Sequence, residues 1–182
     1  MAWTAPMTAV SGSVYTAAQF NQFVRDNLNE TAPAKAATAG GYFAVDGANS
    51  VAERNAVGLL DSGSGTTTST SFTDLDGPAL VGPAVTVTTG VAAVVVVHGT
   101  MSNSGTGSAR MAYDISGASS VAAADNRGIG IFGVAGTGLV AGTTVLHMSG
   151  SLTPGVNTFT AKYRVSSGTG TFSSRRIAVF PL

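Results

Sequence analysis

Residues 91–99 read VAAVVVVHG, and the Val91–Val97 part is the longest apolar run in the chain. It is far short of the roughly 20 residues a membrane-spanning helix needs. Its valines are β-branched and glycines bound it at 90 and 99, so it reads as a strand buried on both faces. The neighbouring stretches carry a strand period as well. PAVTVTTG (83–90) alternates at Val85 and Val87, and SARMAYDIS (108–116) sets Met111, Tyr113 and Ile115 against Arg110, Ala112 and Asp114. Further strands are predicted over 128–134, 143–149, 157–165 and 174–180, with room for an edge strand in the Ser/Thr-rich segment SGSGTTTSTSFTDL (62–75). The separators SNSGTG, AGTG, TPG and SSGTG have the Gly, Ser, Asn and Pro chemistry of turns. About eight strands at this spacing predict a mainly β protein, an antiparallel sandwich of jelly-roll kind. In the closing RRIAVFPL, Ile177 and Val179 alternate with Ala178 and Phe180. A strand placed there must pair centrally or fray, so the chain is expected to finish with it at Leu182.

The first part of the chain has a different period. In VYTAAQFNQFVRDNL (14–28), Thr16 and Gln19 have the spacing of a capping box, and Tyr15 and Phe20 that of a hydrophobic staple. Phe20, Phe23, Val24 and Leu28 form an apolar stripe on a helix over about 16–28, and Pro33 blocks its continuation. So short a helix is marginal alone and needs a surface to dock on, either its own domain or a neighbouring chain. Residues 31–58 hold a Gly-Gly pair, a Pro and many Ala, which suits an extended, partly ordered connector. The expected organisation is an N-terminal anchor, 1–58, followed by a β-sandwich domain, 59–182.

Composition narrows the function. Lys plus Arg number 9, as do Asp plus Glu, so the net charge is zero and no basic field invites nucleic acid. Only 10% of the 182 residues are charged, against about 25% in ordinary soluble domains, and the mean hydropathy is +0.30. Such a surface suits burial against other subunits, a homotrimer being the expected form. With three basic and four acidic residues before Leu59, and six and five from there on, its contacts should be apolar and main-chain and resist salt. There is no Cys, hence no thiolate metal site. MAWTAPM lacks the charged and apolar regions of a signal peptide, so a soluble, unexported and non-membrane protein is expected.

The residues that could carry chemistry are scattered. His98 and His147 lie in separate predicted strands, and His98 follows four valines with no carboxylate or Ser partner near in sequence. Asp74 and Asp76 flank Leu75 and could hold a cation or serve glycoside chemistry, but Gly77-Pro78 follows and favours a loop. GIGIFGVAGTG (128–138) has dinucleotide-type glycines without the helix whose N-terminus would hold a pyrophosphate. Arg175-Arg176 could clamp an anion, or straddle a strand with one residue solvated and the other in a subunit salt bridge. No nucleophile–base pair is legible. The reading is of a non-enzyme without catalytic, cofactor-binding or metal residues.

The opening MAWTAPMTAVSGSVYTAAQFNQFVRDNL resembles the start of virion proteins of tailed bacteriophages, especially those of actinobacterial hosts. The shared form is Trp3, Thr4 and Pro6, a short extended piece, then Thr16, Ala17, Ala18, Asn21, Val24, Arg25, Asp26, Asn27 and Leu28. TTTSTSFTDLDGPAL, VNTFTAKYRVSSGTGTF and RRIAVFPL are similar to the β-domain behind it in small phage structural proteins. The resemblance implies a virion structural protein of the minor tail, tail-fibre or capsid-decoration type, with capsid or tail proteins and copies of itself as partners. It brings no catalytic residues. Trp3, Tyr15, Phe20, Phe23, Val24 and Leu28 become the expected anchor residues. The alternative is a host glycan- or receptor-binding module of the tail tip.

Overall fold

The computed structural model describes residues 3–76, 81–133, 139–147 and 151–182. They fall into a first unit ending at Asn55 and a second, Ala56–Pro181.

In the first unit the capping box forms as the sequence requires. Thr16 Oγ1 accepts from Gln19 N–H at 3.2 Å, and Gln19 Oε1 accepts from Thr16 N–H at 2.9 Å. Tyr15 and Phe20 meet edge to face with centroids 6.2 Å apart. The helix then departs from regularity. Between α-helical turns Ala17–Phe20 and Asp26–Asn29, residues Asn21–Arg25 wind as a π-helix. One extra residue in a turn sets everything after it back by about 100°. A short helical turn, Ala32–Lys35, opens with Pro33 in its first turn, where a missing N–H costs nothing. Strands β1 (Tyr42–Gly47) and β2 (Ser50–Arg54) follow as an antiparallel hairpin. The segment expected to be an extended, partly ordered connector thus holds a sheet of its own, turned at Asn49, whose φ is +54°.

The second unit holds nine described strands: β3 (Val57–Asp61), β4 (Gly65–Thr67), β5 (Ala84–Thr89), β6 (Ala93–Asn103), β7 (Ala109–Gly117), β8 (Gly128–Ile131), β9 (Leu139–His147), β10 (Gly155–Val165) and β11 (Gly170–Pro181). One sheet runs β3–β11–β6–β9, with β4 sharing the β3 edge of β11, and the other runs β5–β10–β7–β8. All pairs are antiparallel. The pairs nest: β7 with β8, β6 with β9, β5 with β10, β3 and β4 with β11. This is one long hairpin rolled into two sheets, the jelly-roll arrangement. The predicted strands over 128–134 and 143–149 run partly outside the described residues.

Strand period explains the core. Val95 and Val97 of β6, Met111 and Tyr113 of β7, Phe159 of β10, and Ile177 and Val179 of β11 are fully buried between the sheets. Tyr113 lies 6.0 Å from Phe159 and Tyr163 4.9 Å from Phe172, centroid to centroid. The run that suggested a strand buried on both faces alternates instead: Val94 and Val96, pointing outward, are only half-buried. Buried amides fix the two ends of the roll. Asn103 donates to Ser108 O at 3.2 Å and Ser167 O at 3.0 Å, while Asn157 donates to Thr89 Oγ1 at 2.8 Å and accepts from Ser119 N–H at 2.6 Å.

The largest fully buried side chain among the described residues is Arg175. The register of β11 against β6 shifts between Ser173 and Arg176, and Ser174 adopts φ +48°. A bulge of this kind re-aims a side chain, and here it turns the guanidinium inward. Nη1 donates to Gly82 O at 3.0 Å and to Tyr163 Oη at 3.3 Å, Nη2 is paired with the Asp61 carboxylate, and Tyr163 Oη donates to Gly82 O at 2.6 Å. The Arg175-Arg176 pair therefore does split as one buried and one solvated residue, but its salt bridge lies within the chain.

The cost of cutting this pair should depend on which side is cut. Asp61→Ala strands a buried cation, worth about 3–5 kcal/mol. Arg175→Met removes the buried charge and leaves a carboxylate that water reaches, costing about 1–2 kcal/mol of lost hydrogen bonding. Urea unfolding of both variants measures the order, and a larger loss for Arg175→Met would contradict it.

Candidate functional site

The sequence-predicted anchor residues do not share one face. By the set-back of the π-helical turn, Leu28 comes into line with Phe20, and the two are 60% and 50% exposed. Tyr15, 48% exposed, extends this row, while Phe23 and Val24 are half-buried. Trp3 is exposed at the side chain and tied at the backbone, its N–H donating to Asn49 O of the hairpin turn at 2.9 Å. Beside Tyr15, the extended leader forms a small cavity of 240 Å³ with Met7, Ala9, Val10 and Ser13.

What holds the leader to the helix is Asn27, a residue that amphipathic spacing alone passes over. It is 4% exposed. Its Oδ1 accepts from Thr4 N–H at 2.9 Å, and its Nδ2 donates to Thr4 O at 2.8 Å and Phe23 O at 3.1 Å. The amide thus satisfies both backbone groups of Thr4 as a neighbouring strand would. The spacing of Trp3-Thr4 to Asn27 was the available signal.

The outer faces of the two sheets differ in kind. On the first, the register aligns Leu60 with Arg176 and His98, Gly58 with Ala178 and Val96, and Phe180 with Val94. Leu60 and Phe180 are 48% and 39% exposed. Arg176, His98 and Ser174 close one end of this apolar field around a cavity of 440 Å³ that also touches Leu60 and Val96.

The outer face of the second sheet gathers charge. Arg164 on β10 grips Asp125 with two hydrogen bonds, Nε at 2.9 Å and Nη2 at 2.6 Å. Arg110 reaches the same carboxylate at 3.3 Å. Lys162, two residues along β10, lies 2.8 Å from Asp74 and 3.7 Å from Asp114. The guanidinium of Arg164 stacks 5.4 Å from the centre of the Phe72 ring. Asp114, Asp125, Lys162 and Arg164 floor an open groove of 560 Å³ between Thr70–Phe72 and Ala122–Ala124. Backbone bridges fasten both walls. Thr73 and Tyr163 exchange bonds of 2.9 and 2.8 Å where β5 has ended, and Val121 and Ile115 exchange bonds of 2.9 and 2.8 Å. The hydrogen bond from Arg164 holds the Asp125 carboxyl below its ordinary range, Arg110 adding to it. Burial pushes Asp114 up, Lys162 opposing and Asp74 reinforcing the shift.

The remaining sequence candidates find plain places. Asp74 is the partner of Lys162, and Asp76 donates its N–H to Thr66 O at 2.7 Å in the strap between the sheets. Gly128–Ile131 is strand β8; residues 134–138 of the glycine-rich stretch, like the His147 side chain, lie outside the described residues. Among the described residues no three His, Asp or Glu converge as metal ligands, and no helix is long and apolar enough to cross a membrane.

No family model and no curated protein matches the chain. Among solved structures it is similar to the Eiger TNF from S. frugiperda, with 12% identity over 71% of this chain and 92% of that one, at a TM-score of 0.46. It is also similar to VP2 of infectious bursal disease virus in a subviral particle, at 11% identity, 72% and 35% coverage and a TM-score of 0.48. The structure of the Gx strain of that virus gives 12%, 72%, 34% and 0.45. The chain spans about a third of the length of these two viral chains. Values this low carry no argument about its function.

Two measurements probe the geometry. Asn27→Ala removes a buried clamp of about 1–3 kcal/mol, so hydrogen exchange at Thr4 N–H should accelerate strongly; an unchanged rate would show that the leader is held by something else. Asp125→Asn tests the groove. A depressed carboxyl stabilises the fold at neutral pH, and that contribution is lost as pH falls from 3.8, its ordinary value, through the lower folded value. The melting difference between wild type and Asp125→Asn should be small at pH 7, about 1 kcal/mol or less for so exposed a network. It should vanish in stronger acid, and a gap that widens there would refute the assignment.

Proposed function

We propose that this chain is a non-enzymatic structural protein of a bacteriophage virion, anchored to the particle by its first unit and displaying the jelly roll as a decoration or minor tail component. One observation carries the reading. The first unit leaves Tyr15, Phe20 and Leu28 exposed in a row and has Ala44 as its one buried apolar side chain among the described residues. A unit with so little core gains stability by laying that row on another surface. The occupant is an apolar site on a capsid or tail protein, in keeping with the phage-like motif from Trp3 to Leu28.

Self-association as a homotrimer belongs to the same reading. The outward valines of β6 are what a strand buried on both faces would carry, and a second copy laid against Leu60, Val96 and Phe180 would complete that burial.

Phe20→Ser with Leu28→Ser tests the anchor, because both side chains are exposed in the isolated chain and the fold should keep its melting temperature. Burial of each is worth about 1.5–3 kcal/mol, so occupancy on particles should fall by about 100-fold or more. Normal incorporation would overturn the anchoring role. Light scattering of the same full-length preparations reads the trimer; a species of 18.0 kDa at every concentration would remove it.

A further inference from the structure

We propose that the groove on the outer face of the second sheet, between Thr70–Phe72 and Ala122–Ala124, is a binding site for a neutral, hydroxyl-rich saccharide. The inference rests on the groove and is independent of where the protein resides.

The charge balance selects the ligand class. Among the lining residues Lys162 and Arg164 stand with Asp114 and Asp125, two cations against two carboxylates, while Asp74 pairs with Lys162 and Arg110 with Asp125 from outside the lining. An anion drawn to Lys162 or Arg164 meets a carboxylate beside it, Asp114 or Asp125, and a cation drawn to those carboxylates meets Lys162 or Arg164. A hydroxyl group donates and accepts at once, so it can bridge a cation and a carboxylate without unpairing them. The site has spare capacity for this. Asp114 stands 3.7 Å from Lys162, too far for a full hydrogen bond, and both line the groove. The Lys162 ammonium carries three N–H groups and has its one short side-chain contact to Asp74.

Shape agrees with the chemistry. A volume of 560 Å³ lies within the range of small-ligand clefts. One wall includes Phe72, whose ring also carries the Arg164 guanidinium, and the other has three consecutive alanines, so apolar side chains flank the groove on both sides for the C–H groups of a sugar. The groove is also rigid before any ligand arrives. Its floor is locked by the register of β10 on β7, where Lys162 pairs with Ala112 and Arg164 with Arg110. Its walls are bridged to the same strands, so little ordering is needed on binding.

The experiment uses the full chain on an array of neutral hexose and N-acetylhexosamine oligosaccharides, with sialylated and sulfated ones beside them. The strongest neutral ligand is then followed by calorimetric titration. Neutral members should bind and anionic ones should not exceed background. Phe72→Ala and Asp114→Asn should each weaken binding by at least about tenfold, and Ala122→Trp, which adds bulk at an exposed rim position, should abolish it. Thr86→Ala, elsewhere on the same sheet face, should leave the affinity unchanged, and the melting temperature of each variant verifies its fold. Absence of neutral-glycan binding, preference for anionic glycans, or binding indifferent to Ala122→Trp would each overturn the proposal.

Discussion

A buried guanidinium is the constraint around which the jelly roll closes. Arg175 comes from β11, Asp61 from the far end of β3, Gly82 from the approach to β5, and Tyr163 from β10 of the opposite sheet. An unpaired cation at that depth would cost several kcal/mol, so a register that separated these four segments would be penalised at once. Asp61 and Arg175 are 114 residues apart in the chain, which makes the pair a check on the outermost turn of the roll. The bulge at Ser174 is the means. Without it Arg175 would follow the strand alternation differently, and the edge carboxylate of β3 would have nothing to hold.

Charge is scarce in this chain, and its placement follows from that scarcity. The second sheet collects six charges on its outer face in two adjoining clusters that sum to zero, whereas the first sheet sets an apolar field at Leu60, Val94, Val96, Ala178 and Phe180 beside Thr100, Ser102, Thr171 and Ser173. The six members come from four local settings: a strap for Asp74, β7 for Arg110 and Asp114, a 3-10 turn for Asp125, and β10 for Lys162 and Arg164. On β10 they stand at 162 and 164, both outward, while Ala161, Tyr163 and Val165 fill the core. The same alternation that builds the interior therefore selects what the exterior shows.

Local rules were legible from the residues alone. Thr16 with Gln19 had to cap, Tyr15 had to meet Phe20, and Met111, Tyr113 and Ile115 had to point inward, because each depends on neighbours within a few positions. The β1–β2 hairpin was legible too, through Asp46-Gly47 between the apolar pieces at 42–45 and 51, but alanine-rich flanks masked it. What could not be read was set by distant partners. The π-helical turn that aligns Leu28 with Phe20, the clamp of Asn27 on Thr4, the inward turn of Arg175 and the assembly of the groove all depend on segments brought together by the fold.

The valine run of β6 shows how a sequence signal can point past the single chain. Continuous apolarity belongs to strands covered on both faces, yet one face of β6 packs against the opposite sheet while Val94 and Val96 remain half-buried. Propensity for a strand does not need valine at every outward position, as the Thr-rich outward rows of β5 and β10 demonstrate at Thr86, Thr158 and Thr160. Outward valines beside Leu60 and Phe180 leave apolar surface in water, at a cost that burial would recover at roughly 25 cal/mol per Å². The polar sheet carries no such cost. In an assembly the first sheet is therefore the face that gains by being covered, and the charged groove of the second is the face that loses nothing by staying open.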